Sequence, residues 1–102
     1  MSRLYKIEQR LSRTVLKTFG ESLVLNTQHS EPLQFTGVFD DNEILLDGFE
    51  TFGYVVSVPV ANWSGKYPKS GKSSITRLKT NNEHKVYKST VRGSALLIYI
   101  VG

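Results

Sequence analysis

The stretch Tyr54-Val55-Val56-Ser57-Val58-Pro59-Val60 decides the fold class. Tyr54, Val56, Val58 and Val60 alternate with Val55, Ser57 and Pro59, which is the period of two that gives a β-strand one consistently apolar face. Pro59 cannot donate to a strand ladder, so this strand is an edge or ends there. Outward from it, short β-branched and aromatic runs recur between turn residues. They predict strands at Ser22 to Thr27, Gln34 to Phe39, Tyr54 to Val60, Ser74 to Leu78, Lys85 to Thr90 and Ala95 to Val101, with Ile44 to Leu46 a doubtful seventh. Asn81-Asn82 and Arg92-Gly93-Ser94 read as turns between neighbouring strands. The run Leu96 to Val101 is apolar on both faces, which suits a strand inside a closed barrel or under a helix.

Before Gly20 the period changes. Leu4, Ile7, Leu11 and Val15 are spaced by three or four, with Leu16 beside them, while Arg3, Lys6, Arg10, Arg13, Lys17 and Glu8 take the other faces. Ser2 is a suitable cap and Gly20 a suitable terminator, predicting one amphipathic helix over residues 3–19. The expected architecture is mainly β: a single domain of 102 residues, with an N-terminal helix and an antiparallel barrel or sandwich of about six strands over 22–101. Two long connections interrupt it, Asp40 to Gly53 and Ala61 to Ser73, and loops of that length in a small domain usually carry function.

The net charge of +4 conceals a segregation of sign. The helix segment is basic. Asp40, Asp41, Glu43, Asp47 and Glu50 follow without a base among them, and then Lys66, Lys69, Lys72, Arg77, Lys79, Lys85, Lys88 and Arg92 stand against Glu83 alone. Blocks of opposite sign steer a polyanion to one face or dock neighbouring copies head to tail, although solvated surface charge explains them equally well. No apolar run reaches the ~20 residues of a membrane span, and the basic N-terminus lacks the apolar stretch of a signal peptide, so a soluble intracellular protein is expected.

Catalytic and metal chemistry find little support. The chain has no cysteine, and His29 and His84 are its two histidines, far apart in sequence. Gly71-Lys72-Ser73 matches the end of a phosphate-binding loop, but position 66 is lysine where that motif needs glycine, and Ile75 to Leu78 reads as a strand where it needs a helix. Asp40, Asp41 and Glu43 lack the order of a calcium loop and read as turn-forming acids. No serine or histidine has the local context of a nucleophile or its base, so an enzyme is not expected, nor a cofactor. The second connection fits binding better. Lys66, Lys69 and Lys72 recur every three residues among Trp63, Tyr67 and two glycines, a flexible tether of point charges and aromatic faces suited to phosphates and bases. Asp41, Glu43, Asp47, Phe49 and Glu50 form an acidic and apolar counterpart suited to assembly contacts. In the strand before it, Phe35, Gly37 and Phe39 share a face, with Gly37 leaving room for close approach, so Phe39 is expected in the core and Asp40 as a local turn acceptor.

Thr36-Gly37-Val38-Phe39-Asp40-Asp41, following a helix and a short strand and preceding a run of strands, resembles the lambda-type head-tail joining (tail attachment) family of tailed phages. Gly37, Val38, Phe39, Asp40 and Asp41 match closely. Val56-Ser57-Val58-Pro59, Lys85-Val86-Tyr87 and Arg92-Gly93-Ser94 match loosely, and the lysine-rich stretch from Lys66 to Ser73 does not match. The resemblance implies a small β-barrel with an accessory helix and no active site. It also implies a virion protein made in the bacterial cytoplasm that adds as a ring of copies to the head connector, closes the exit against DNA leakage and presents the surface on which the tail docks. Its partners would be connector or portal-side proteins and tail proteins, with non-specific DNA contact possible. From a different class, a small basic β-barrel that binds single-stranded nucleic acid has the same size and strand content.

Overall fold

Six strands close on themselves in the computed structural model, which describes residues 19–46 and 51–102. They are β1 (Gly20–Thr27), β2 (Leu33–Leu45), β3 (Phe52–Pro59), β4 (Ser73–Arg77), β5 (Asn82–Arg92) and β6 (Ala95–Val101), with a single 3-10 turn at Val60–Asn62. The order around the wall is β1-β2-β3-β6-β5-β4, and every neighbouring pair is antiparallel, including the closing pair β1 and β4. Closure removes the unpaired edges that an open sheet would expose. The sequence left barrel and sandwich open; the β1–β4 ladder, from Leu23 opposite Arg77 to Thr27 opposite Ser73, makes it a barrel. The helix expected over residues 3–19 falls, but for Phe19, outside the described residues.

Alternation along each strand fills the interior. Leu23 and Leu25, Phe39, Val56 and Val58, Ile75, Val86, and Leu96, Ile98 and Ile100 form one buried cluster. Gly37 lies between Phe35 and Phe39 on this inward face, where a Cβ would stand 3.1 Å from methyl groups of both Val56 and Val58, so its lack of a side chain lets the strands pack. Val55, Ala95 and Leu97 point the other way and form a second buried cluster with Ile44 and Tyr99, which is why the last strand is apolar on both faces. Pro59 is the last residue of β3 and pairs with Ala95, so it terminates the strand without making it an edge.

One mouth of the barrel is closed by apolar groups. Phe35 and Trp63 meet edge to face at 5.1 Å and pack with Leu33 and Val60 under the core. The other mouth is closed by an ion pair. Arg77, 9% exposed, follows Ile75 on the inward face of β4 and binds both carboxylate oxygens of Glu21, at 2.6 and 2.8 Å. Asp41 adds a contact at 2.7 Å, and the guanidinium carbon stands 4.0 Å above the Phe39 ring. The hydrogen bond to Glu21 raises the Arg77 pKa further above its usual value; burial opposes this and Asp41 adds to it. Tyr54 and His84 complete this end, with their ring centres 5.2 and 5.8 Å from that of Phe39, and His84 Nδ1 donates to the Val101 carbonyl.

Two irregularities decide what faces outward. In β2 and β3, Asp40 opposes Val55 and Ile44 opposes Gly53, so β2 carries two extra residues between those pairs and still resumes its ladder through Leu45 and Phe52. The expected connection from Asp40 to Gly53 is therefore mostly a hairpin, and the doubtful strand at Ile44 to Leu46 is largely the end of β2. Between β5 and β6, Val86 opposes Ile100 and Lys88 opposes Tyr99, leaving Tyr87 as a bulge. Parity would otherwise send Lys88 inward with His84 and Val86; the bulge turns it to the outer face.

Candidate functional site

The chain leaves the barrel at the end of β3 and returns at the start of β4 through residues 61–73, the lysine-bearing connection. Its expected role as a free tether is corrected by its hydrogen bonds. Trp63 Nε1 donates to the Lys66 carbonyl at 3.2 Å, Ser89 Oγ donates to the Pro68 carbonyl at 2.7 Å, and Gln28 N donates to the Lys72 carbonyl at 3.1 Å. Pro68 is buried, and Gly65 and Gly71 take the left-handed backbone at φ of 86° and 78° that lets the loop fold back on itself. Glycine and serine content suggested mobility, but side chains from β5 and the Phe35 wall supply the anchors.

This geometry divides the residues that the sequence grouped. Trp63 is half-buried against Phe35 and serves as a plug, not as an exposed stacking face. Lys66, Tyr67 and Lys69 stay exposed and line a shallow depression whose far wall is Lys88 and Ser89 of β5. Lys72 lines a neighbouring depression with Lys85 and Glu83, and Ser70 belongs to both. The Lys88 ammonium sits 5.1 Å from the centre of the Tyr99 ring. Lys85 faces outward by the plain alternation of β5, whereas Lys88 could not be added to the loop lysines from sequence, because its orientation depends on the bulge at Tyr87. As the sequence requires, the chain after Gly71-Lys72-Ser73 is a strand, so no helix N-terminus is available there to hold a phosphate.

The acidic residues lie at the opposite mouth, where β2 ends. Asp40 is buried and its Oδ1 accepts from the Asn42 amide at 3.0 Å, the local turn contact expected of it. Asp41 is two-thirds exposed while bound to Arg77, and Glu43 is exposed. Beside them Leu45 and Phe52, cross-strand partners, are 48% and 53% exposed. Asp47, Phe49 and Glu50 lie outside the described residues. Among the motif residues, Gly37, Val38 and Phe39 are buried, so they carry packing and not contact.

His29 lies in an exposed turn with φ of 65°, and His84 is committed to Val101, so the structure does not bring the two histidines together. Among the described residues no group of three potential metal ligands converges, and no helix is long and apolar enough to cross a membrane. In comparisons with known proteins, the chain matches no family model, no curated protein and no solved structure.

Proposed function

We propose that this chain is a structural protein of the phage neck, one that joins head to tail by adding as a ring of copies to the head connector and offering a surface to the tail. The observation that carries the reading is the polarity of the barrel. Its interior is filled and both mouths are plugged, so partners meet its outer surface, which among the described residues offers the hairpin bearing Asp41, Glu43, Leu45 and Phe52 at one end and the lysine face at the other. An apolar pair rimmed by acids suits contact with protein neighbours, and a heterologous contact of this kind closes into a ring when its rotation permits. The lysine face is left for the DNA side of such a ring. The match of Gly37 to Asp41 with the joining family supports the same reading, and on this account the protein turns over no substrate.

Complementation tests it. Changing Lys66, Lys69 and Lys72 together to glutamine should leave the melting temperature almost unchanged, because exposed charges contribute little to folding, and should lower the yield of infectious particles. Phe52→Ser should lower the yield through the hairpin. Full complementation by both variants would remove the reading.

A further inference from the structure

We infer that the two lysine-lined depressions between the 61–73 connection and β5 form one track for the phosphodiester backbone of a nucleic acid, centred on Lys66, Lys69 and Lys88 and continuing past Ser70 to Lys72 and Lys85. The inference deepens the DNA-side role that the neck reading gives this face, and it is argued from the geometry of the wall so that the two can fail separately.

Three observations converge. The first depression is lined by three lysines and no acid, and hydroxyls of Ser70 and Ser89 lie among them. Cations gathered in this way repel one another, and a chain of phosphates relieves that repulsion while releasing its own counterions. The second is fixation. The loop backbone is tied to β5 by Ser89 and, just past the end of β1, by the Gln28–Lys72 contact, so the lysines project from a fixed backbone and binding orders less chain than it would on a free tether. The third is the bulge at Tyr87, which spends a ladder position to bring Lys88 out beside Lys66 and Lys69. Lysine lacks the planar fork that reads a base edge bidentately, so the track recognises backbone and not sequence. Tyr67, 43% exposed at the same depression, offers a ring to an unstacked base.

Fluorescence anisotropy with a labelled oligonucleotide of about 20 nucleotides, single-stranded and as duplex, over a salt series reads the track directly. The logarithm of the binding constant should fall linearly with that of salt. The combined variant Lys66→Gln, Lys69→Gln, Lys88→Gln should reduce the slope by about 2 to 3, and Lys79→Gln, in the turn at the opposite mouth, should leave it unchanged. Circular dichroism verifies that the variants fold. Tighter binding of the single strand, with the preference lost in Tyr67→Ala, identifies single strands as the source; equal or tighter binding of duplex identifies double-stranded DNA, and both support the track. Three results overturn it: no binding by the unchanged protein even at low salt, an equal loss in Lys79→Gln, or stronger binding of polyglutamate than of DNA, which would make the groove a site for an acidic protein segment. Normal oligonucleotide binding by a protein with no role in particle assembly would instead remove the neck reading and leave the track.

Discussion

Replacing Phe39 with alanine removes a side chain that belongs to the buried cluster and also lies under the ion pair above it. The ring is 6% exposed, stands 5.2 Å from Tyr54 and 5.8 Å from His84, and lies 4.0 Å beneath the Arg77 guanidinium. Loss of a buried phenylalanine costs about 3 to 5 kcal/mol through transfer and residual cavity. The cation–π contact, with Arg77 largely out of water, accounts for about 1 to 2 kcal/mol of the ring's effect. Phe39→Leu separates these parts, since it keeps most of the apolar volume and loses the π face, and it should cost about 1 to 2 kcal/mol. Urea unfolding followed by tryptophan fluorescence reads both as shifts in midpoint at constant slope. For a domain of this size each kcal/mol lowers Tm by about 4 to 8 °C, so the alanine variant should melt at least about 12 °C below the unchanged protein. A cost under about 1 kcal/mol for alanine, or a leucine variant as unstable as the alanine one, would refute the account of the ring as core filler.

Other substitutions probe separate features. Glu21→Ala leaves Arg77 with a mostly buried charge and should cost about 2 to 4 kcal/mol, while Asp41→Ala, at an exposed carboxylate, should cost under about 1 kcal/mol; equal costs in urea titration would contradict the asymmetry of the two contacts. Gly53→Ala would place a Cβ 2.0 Å from the Ile100 carbonyl oxygen, so the β3–β6 ladder must part, and about 3 kcal/mol or more should be lost on thermal melting. Ser89→Ala should loosen the lysine loop without unfolding the barrel, seen as faster hydrogen exchange at the Gln28 and Lys72 amides, and unchanged exchange would show that the Pro68 contact is not an anchor.

The features legible from sequence are those set by local chemistry. Alternation in Tyr54 to Val60 marked β3, its end at Pro59 and its inward side. Gly93-Ser94 marked the two-residue turn joining β5 and β6, and Asp40 marked its own turn. What escaped reading depends on residues far apart in the chain. A one-residue bulge inverts which side chains face the core without any change of composition, so the outward turn of Lys88 could not be read. Density of acid masked strand character in the hairpin. Arg77, counted among the surface cations, is buried because Glu21, 56 residues earlier, meets it across the β1–β4 closure. Trp63 stood in a stretch rich in glycine and serine and looked exposed, whereas the Phe35 wall that covers one of its faces lies on another strand.

The proposed neck role is tested most directly by electron microscopy of the particles formed when the gene is inactivated in a phage that carries it. The account predicts heads and finished tails lying apart, with tailed particles restored when the purified protein is supplied. Joined, infectious particles in unchanged numbers without the protein would contradict it.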